Sequence, residues 1–409
     1  MTDEQLAKRN LFIMWFANFF ISASLSMIMP FLSLYISSFG TLSEREVQSW
    51  SGIIFGVTFV TAFICSPFWG KIGDRYGRKL ILIISSFGMG VSILLLGFTE
   101  NVWQLFMLRV FMGIFTGFIG ISQAFISTQT PSHIAGRVLG TLQTGSITGM
   151  LFGPMIGGIL ADSIGFHGTF LLVSLSVFTS ALLVTFGTKE YPVKVQKGEK
   201  SHYSSKEVLA HILRDPILLV VLILSSLIQI ANFSVQPILS LYVQELHGPE
   251  NIAFYSGIAF SAAGLGNLLM TRTWGKLGDR IGYIKILIGL IFAAGIVYIP
   301  GALVGSVWEL AVIRLLLGMA IGGIIPLRVA YIRQAAPLTM QGEVLGYNNS
   351  LRFLGNFIGP ILGGMMAGYF GFSAVFYMTS ALLIICGITL LTAHIRNARA
   401  KTRTRTSSI

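Results

Sequence analysis

Four arginines lie inside long apolar stretches of a 409-residue chain in which only 11% of the residues are charged: Arg109, Arg314, Arg328 and Arg352. A charged side chain in hydrocarbon costs a few kcal/mol or more, so such residues usually face a water-filled cavity or a partner. The 16 aspartates and glutamates lie between these stretches or near their ends. A cavity that carries arginine and no acid favours neutral, zwitterionic or anionic ligands over cations.

Uncharged polar residues recur on the same stretches at helical spacing. Asn18 and Ser22 are four residues apart, and Gln229, Asn232 and Gln236 follow an i, i+3, i+7 pattern. Such spacing places the side chains on one face of a helix. These faces either line a cavity or form hydrogen bonds between neighbouring helices. The candidate cavity residues are Asn18, Ser22, Arg109, Thr116, Gln123, Gln229, Asn232, Gln236, Arg328, Asn349, Arg352 and Asn356.

The elements that position these side chains are predicted to be membrane-spanning helices. Hydrophobic residues make up 54% of the chain, and crossing the bilayer takes about 20 apolar residues per helix. Twelve such stretches are present, six on each side of a polar segment. The predicted fold class is an all-α integral membrane protein with two pseudo-symmetric six-helix halves, residues 1–188 and 217–409. A cytoplasmic linker at residues 189–216 joins them, and the second half ends in a basic tail.

An internal repeat supports the division into halves. One sparse pattern of glycines and a proline occurs twice with unchanged spacing, as Gly140, Gly149, Gly153, Pro154, Gly157 and Gly158 and as Gly346, Gly355, Gly359, Pro360, Gly363 and Gly364. The run GKIGDRYGRK from Gly70 likewise returns as GKLGDRIGYIK from Gly275. Repeats that keep their register indicate two similar bundles that are packed alike.

The distribution of lysine and arginine predicts which segments are cytoplasmic. If the N-terminus is cytoplasmic, then every lysine and arginine lies in a cytoplasmic segment except Arg45, on the outer side, and the four arginines within the apolar stretches. Both termini of this multi-pass protein are therefore predicted to lie on the cytoplasmic side of the cell membrane. The first stretch has no small-residue cleavage site and is predicted to be retained. The net charge of +12 reflects loops beside an anionic leaflet, not nucleic-acid binding.

The repeated turn combines glycines, an aspartate and arginines between two predicted helices. Its residues are Gly70, Asp74, Arg75, Gly77, Arg78, Gly275, Asp279 and Arg280. Glycine permits positive φ, and an aspartate near a helix end accepts from free amides or pairs with arginine. A basic turn that only obeys the positive-inside rule is the alternative, but it needs no aspartate. The turn is therefore predicted to be a gating latch that breaks when the halves move.

The glycine and proline pattern at residues 140–158 lies within one predicted helix. Gly149, Gly153 and Gly157 form a flat stripe that allows close contact with a neighbouring helix. Pro154 removes a backbone hydrogen bond and favours a bend. Tight helix packing is sufficient to explain the glycine stripe. The bend at the proline indicates in addition that the bundle can rock during function.

These motifs resemble those of the major facilitator superfamily, specifically its twelve-helix drug:proton antiporters, over nearly the whole chain. The repeated turn resembles the signature between the second and third helices, and the Gly140–Gly158 pattern resembles the fifth-helix signature of exporters. Arg109 with Gly113 matches the fourth-helix signature in part, because Met112 and Phe115 replace its usual glutamine and second glycine. Stretches such as MPFLSLY, SPFWG and WGKLGDRIG resemble the MdtG-like multidrug efflux branch.

The resemblance implies two six-helix halves around a midplane cavity that opens alternately to each side. It also implies a secondary active transporter that exports structurally varied amphiphilic drugs in exchange for protons. Many relatives couple transport to protons through an acid in the cavity, and this chain has none there. The proton-coupling candidates are therefore Asp74, Asp279 and Glu343. The implied partners are small amphiphilic molecules, protons and the lipid bilayer, and the implied state is a monomer.

Two other functions are weighed against this interpretation. A facilitator-type carrier of one specific organic anion would use the arginines to bind its charge. A membrane-embedded enzyme would need clustered Ser and His, paired carboxylates or metal ligands, and none converges in the apolar stretches, so an enzyme is not predicted. Cys65 and Cys386 lie in apolar stretches and indicate neither a disulfide framework nor a metal site. No cofactor is predicted, and no Walker pattern for an ATP-driven pump occurs.

Overall fold

The computed structural model describes residues 3–130, 134–190, 205–337 and 340–406. Side chains are described in these ranges except at residues 3–5, 67, 70, 71, 74, 135–137, 205 and 398–406. The helices are α1 (Asp3–Met27), α2 (Leu32–Ser38), α3 (Glu44–Tyr76), α4 (Arg78–Leu96), α5 (Val102–Ile114), α6 (Phe118–Thr128), α7 (Ala135–Gly187), α8 (Ser205–Arg214), α9 (Pro216–Ser234), α10 (Leu239–His247), α11 (Ile252–Ile281), α12 (Tyr283–Gly301), α13 (Val307–Ala335), α14 (Gln341–Phe370) and α15 (Phe372–Thr406). A 3₁₀-helix at Gln236–Ile238 separates α9 from α10.

The number of membrane passes follows from a break inside α7. Eleven segments of the described chain are long and apolar enough to cross a membrane, and one of them, Val138–Gly187, has 50 residues. A single pass takes about 20 residues. The backbone of α7 leaves the helical conformation at Gly165, where φ is 74° and ψ is 175°. The segment therefore makes two passes, and the predicted all-α fold with twelve membrane-spanning helices is confirmed.

Two passes at corresponding positions of the halves are interrupted near a proline. Pro30 lies in the turn between α1 and α2, and Pro237 lies in the 3₁₀-helix between α9 and α10. Proline has no backbone N–H, and its ring clashes with the preceding helical turn. The repeated PxLSLY sequence therefore breaks the first helix of each half at the same point.

Glycine faces set the packing of the first helix in each half. A Cβ built on Gly153 of α7 would lie 2.7 Å from the carbonyl oxygen of Ala23 in α1. At the corresponding position of the second half, a Cβ on Gly359 of α14 would lie 2.7 Å from the carbonyl oxygen of Ile230 in α9. Only a residue without a side chain allows this approach of two helix backbones. The repeated pattern is therefore a contact surface, used by both halves for the same helix pair.

A hydrogen bond repeated in both halves shows the same pseudo-symmetry. The indole Nε1 of Trp69 in α3 donates to the carbonyl oxygen of Ile114 in α5 at 2.5 Å. The indole Nε1 of Trp274 in α11 donates to the carbonyl oxygen of Met319 in α13 at 2.7 Å. The SPFWG and TWGK segments therefore hold equivalent helix pairs together.

The chain forms two compact units that do not coincide with the two halves of the sequence. One unit contains residues 1–194 and 237–261, and the other contains residues 195–236 and 262–409. Within the first unit, the Ser33 hydroxyl donates to the carbonyl oxygen of Pro237 at 2.5 Å, and the Ser261 hydroxyl donates to that of Leu151 at 2.9 Å. Residues 237–261 of the second half, which include α10 and the beginning of α11, thus pack against helices of the first half. The boundaries predicted at residues 188 and 217 stay a prediction.

Candidate substrate-binding and gating residues

The polar face of α1 forms hydrogen bonds with a neighbouring helix. Asn18 is buried, and its Nδ2 donates to the hydroxyl of Ser122 in α6 at 2.7 Å. The Ser122 hydroxyl donates back to Asn18 Oδ1 at 3.0 Å. The Ser22 hydroxyl, one turn further along α1, is buried and has no hydrogen-bond partner among the described residues. Asn18 therefore joins two helices, while Ser22 keeps an unused polar group.

The polar face of α9 is bonded to α14 at two levels. Gln229 Nε2 donates to Asn356 Oδ1 at 2.8 Å. One helical turn away, the Ser225 hydroxyl donates to Asn348 Oδ1 at 2.7 Å. Gln229, Ser225 and Asn348 are buried. These bonds lie along the same helix contact as the glycine face of α14 and fix its rotation relative to α9.

Asn348 is a functional candidate that the sequence pattern did not identify. Sequence spacing selects Asn349 together with Arg352 and Asn356, yet Asn349 is exposed and Asn348 is buried. Asn348 and Asn356 both contact α9, and Arg352 lies halfway between them on the same face. The i, i+4, i+8 spacing of these three residues was the available signal. The assignment of Asn349 to a cavity stays a prediction.

The four intramembrane arginines have different surroundings. Arg109 of α5 is buried, and its Nε donates to the carbonyl oxygen of Ile54 in α3 at 3.3 Å. Arg314 of α13 is buried close to Tyr298 of α12. Arg109 therefore bonds the second helix of its half through a backbone acceptor, and Arg314 is held near a phenol.

Arg328 is the most unusual of the four arginines. Its side chain is 1% exposed, and Nε, Nη1 and Nη2 all lack a hydrogen-bond partner among the described residues. Arg352 of α14 acts on it as a like charge and has a buried Nε that also lacks a partner. An arginine at the centre of a membrane helix costs about 2.5–3.5 kcal/mol. The second unit therefore contains a positive pair with unsatisfied donors.

The remaining cavity candidates have less defined surroundings. Thr116 lies in the turn between α5 and α6, and its hydroxyl donates to the carbonyl oxygen of Gly113 at 2.9 Å. Gln123 and Asn232 are partly exposed. Gln236 Oε1 is buried and has no hydrogen-bond partner among the described residues. Their contribution to a substrate cavity stays a prediction.

The repeated turn joins two helices through one glycine in each half. Gly77, between α3 and α4, has φ of 99°, and Gly282, between α11 and α12, has φ of 106°. Side chains with a Cβ rarely adopt this conformation. Arg78 Nη1 donates to the carbonyl oxygen of Ala124 in α6, and Arg75 stacks on its neighbour Tyr76. The first copy of the turn therefore binds the fourth pass of its half through Arg78.

Of the aspartates in the two turns, only Asp279 has a side chain within the described part of the structure. The surroundings of Gly70 and the side chain of Asp74 lie outside what the structure describes. In the second copy, the exposed Asp279 accepts a hydrogen bond from the Tyr283 hydroxyl at 2.8 Å. No Cβ contact within 4 Å would arise at Gly275, and Arg280 is exposed. The gating role of these residues stays a prediction.

Two carboxylates, Glu190 and Asp162, cap helix starts within the first unit. The sequence pattern did not predict this role for either of them. Glu190 accepts from the backbone amides of Arg78 and Lys79 at the start of α4, at 2.8 and 3.0 Å. Lys79 Nζ in turn donates to the carbonyl oxygens of Thr185 and Thr188 at the end of α7, at 2.8 and 2.7 Å. The start of one helix and the end of another thus satisfy each other's free backbone groups.

The second capping carboxylate is Asp162, at the end of the first pass of α7. It accepts from the backbone amides of Ala253 and Phe254 in the first turn of α11. The third proton-coupling candidate, Glu343, accepts from the Tyr347 hydroxyl at 3.1 Å. Among the described residues, no group of three His, Cys, Asp or Glu side chains is placed to hold a metal ion.

Comparison with known proteins agrees with this fold. The model of the Major Facilitator Superfamily matches residues 14–272 and 253–408, which together cover most of the chain. Among solved structures, a bacterial homologue of the human lysosomal transporter Spinster superimposes with a TM-score of 0.79 at 15% identity. The superposition covers 96% of each chain and supports the fold.

Similarity to curated proteins extends over the same length. The chain is 54% identical to an uncharacterized MFS-type transporter, YuxJ of Bacillus subtilis (strain 168), over 92% of this chain and 96% of that protein. It is 40% identical to the multidrug resistance protein MdtG of Salmonella typhi, over 93% of this chain and 94% of that protein. The protein is therefore a multi-pass membrane transporter of small molecules, not an enzyme, and it belongs to the Major Facilitator Superfamily.

Proposed function

We propose that the protein exports structurally varied amphiphilic drugs across the cell membrane by alternating access, in exchange for protons. The observation that carries the proposal is the 40% identity to multidrug resistance proteins MdtG over more than nine-tenths of the chain. The proposal places both termini and the linker on the cytoplasmic side and treats the protein as a functional monomer.

The packing of the first helix in each half supports alternating access. The glycine faces of α7 and α14 let the backbones of α1 and α9 approach closely. Small residues allow close backbone contact between membrane helices, and the proposal is that such smooth faces let α1 and α9 tilt against α7 and α14. The polar bonds that tie these first helices to their neighbours include Asn18 of α1 with Ser122 of α6 and Gln229 of α9 with Asn356 of α14. They are weak enough to break and reform during transport.

The proton-coupling group is proposed to be one of Asp74, Asp279 and Glu343. Asp279, near the end of α11, accepts from the hydroxyl of Tyr283 at the start of α12, and Glu343 accepts from the hydroxyl of Tyr347 one turn later in α14. Protonation would weaken such a bond, because a neutral carboxyl is a poorer acceptor than a carboxylate. Each exchange of a proton could therefore alter a contact near a helix end.

The experiment uses purified protein in liposomes with an imposed pH gradient. Three dansyl-labelled alkyl probes of equal chain length differ only in the head group, which is a sulfonate, a primary sulfonamide or a quaternary ammonium. A multidrug antiporter moves more than one probe against its gradient, and dissipating the pH gradient stops it. Asp74→Asn, Asp279→Asn and Glu343→Gln identify the coupling group, because only that change uncouples proton flow from probe movement. Failure of every probe to respond to the gradient would contradict proton-driven export.

A facilitator for one organic anion is the second candidate function. The observation in its favour is the fully buried Arg328, whose guanidinium nitrogens have no partner among the described residues. Such a carrier equilibrates the sulfonate probe, leaves the other two probes in place, and works without a pH gradient. The same liposome experiment therefore separates the two functions.

A further inference from the structure

We propose that Arg328 and Arg352, with Asn348, form the site that binds the anionic head group of an amphiphilic substrate. The site lies among α9, α13 and α14 in the second compact unit. The inference rests on the proposed transport of amphiphiles and names the charged group that such a substrate presents to the protein.

The first argument is the balance of donors and acceptors. Five nitrogens of these three residues are buried without a hydrogen-bond partner among the described residues, and all are donors: Nε, Nη1 and Nη2 of Arg328, Nε of Arg352 and Nδ2 of Asn348. The acceptor of Asn348, its Oδ1, is already bonded to the Ser225 hydroxyl. Five buried donors without a described partner favour a ligand that brings several acceptors to one place. An oxyanion, such as a carboxylate, sulfonate or phosphate group, is a ligand of this kind.

The second argument is charge. Arginine does not give up its proton in proteins, so burial cannot neutralise it. Arg352 acts on Arg328 as a like charge, and neither side chain forms an ion pair with a described carboxylate. The planar guanidinium presents paired N–H groups that match the oxygens of an oxyanion. An anion bound between the two arginines would remove both the repulsion and the unsatisfied donors.

The third argument concerns the shape of the substrate. Ile324 and Ile332 lie one turn before and one turn after Arg328 on α13, and both are fully buried. The guanidinium is thus a single charge in an apolar row of the helix. Arg352 is partly exposed, whereas Arg328 is fully buried. A charged head next to apolar helix surfaces fits an amphiphile better than a hydrated inorganic ion.

The test measures binding to detergent-purified full-length protein, independently of transport. The probes are the dansyl-labelled alkyl sulfonate and the sulfonamide of the same chain length, which differ in charge and share the apolar part. We expect the parent to bind the sulfonate more tightly. Arg328→Gln and Arg352→Gln should each weaken sulfonate binding about tenfold or more, since each removes charge-assisted hydrogen bonds. Sulfonamide binding should change little.

Two further variants test the assignment of the charge. Arg314→Gln is the matched control, because Arg314 is a buried arginine of the same helix, about 21 Å from Arg328 along its axis. It should keep the preference for the sulfonate. Arg328→Lys retains the charge without the planar donor pair and should restore part of the preference that Arg328→Gln removes.

Several results would overturn the proposal. These are equal binding of both probes by the parent, a preference that survives both Arg328→Gln and Arg352→Gln, and inorganic sulfate that competes as strongly as the labelled sulfonate. The last result identifies a site for an inorganic anion only. If a variant does not fold, the Tm of the parent protein still tests the proposal. The sulfonate must raise that Tm more than the sulfonamide does. Selective binding of the sulfonate without any transport would disprove the proposed function but support the binding site. Transport without selective binding would support the proposed function but disprove the binding site.

Discussion

The carboxylate of Asp162 accepts a hydrogen bond from the backbone amide of Phe254 at 2.7 Å. Its other oxygen accepts from the amide of Ala253 at 3.3 Å. Asp162 ends the first pass of α7, whereas Ala253 and Phe254 belong to the first turn of α11. The bond therefore joins the two halves of the sequence within one compact unit. A carboxylate at this position satisfies free amides and interacts favourably with the helix dipole.

We expect Asp162→Ala to lower the stability of the protein by about 1 kcal/mol, because two helix amides lose their acceptor. Asp162→Asn keeps a neutral acceptor and should have a smaller effect. The measurement is the Tm of the purified protein, with Glu250→Gln as a control at an exposed acid just before the same helix. An unchanged Tm in Asp162→Ala would show that water replaces the carboxylate without cost.

Substitution of a glycine on the α9-facing side of α14 should destabilise the second half. In Gly359→Ala the new Cβ would lie 2.7 Å from the carbonyl oxygen of Ile230 and 3.1 Å from its Cα. Overpacking against a backbone costs about 1–3 kcal/mol. Gly346→Ala, on the same helix, meets nothing within 4 Å and should be neutral or slightly stabilising. Equal Tm values for the two variants would contradict the close contact.

The hydrogen bonds between Asn18 and Ser122 should be structural rather than substrate-binding. A double-mutant cycle with Asn18→Ala and Ser122→Ala is expected to give a coupling of about 0.6 kcal/mol, typical of polar pairs between membrane helices. The measurement is unfolding in mixed micelles with increasing denaturing detergent. If Asn18→Ala instead abolishes probe binding without a change in stability, Asn18 binds substrate.

The stabilising effects of Glu190 and Lys79 should be coupled. Glu190 caps the start of α4, which carries Lys79, and Lys79 caps the end of α7, which Glu190 follows in sequence. Glu190→Ala leaves the first amides of α4 without their acceptor, at a cost of about 1 kcal/mol. Lys79→Met removes the donor at the end of α7. We expect the double variant to lose less stability than the sum of the single losses, because both changes loosen the same junction. Additive losses in Tm would show two independent caps.

The predicted orientation is open to cysteine labelling. Cys65 and Cys386 would first be replaced by alanine, and single cysteines introduced at Lys200 in the linker, Ser407 in the tail and Glu250 after α10. A membrane-impermeant maleimide added to intact cells should label only the cysteine at position 250. Labelling at position 200 from outside would reverse the orientation that the lysine and arginine distribution predicts.

The repeat and the spans are evident from the sequence because they depend on local properties. Apolar length determines which stretches cross a bilayer, and the recurrence of the Gly140–Gly158 pattern at Gly346–Gly364 places equivalent helices in both halves. Helical periodicity likewise groups polar residues on faces. It does not determine where a face points, because that depends on the neighbouring helix. Adjacent residues such as Asn348 and Asn349 differ by about 100° around the axis, and only packing against α9 selects Asn348.

By itself, the sequence determined the transporter family, the twelve passes, the repeated turn and the presence of arginine without acid in the spans. The tertiary structure decided which charges have partners. Arg109 bonds the carbonyl oxygen of Ile54, Arg328 has no described partner, and Asp162 and Glu190 cap helices distant in sequence. A hydrogen bond requires two groups within about 3 Å. Composition and spacing constrain each helix separately, and only the packed bundle brings groups from different helices to that distance.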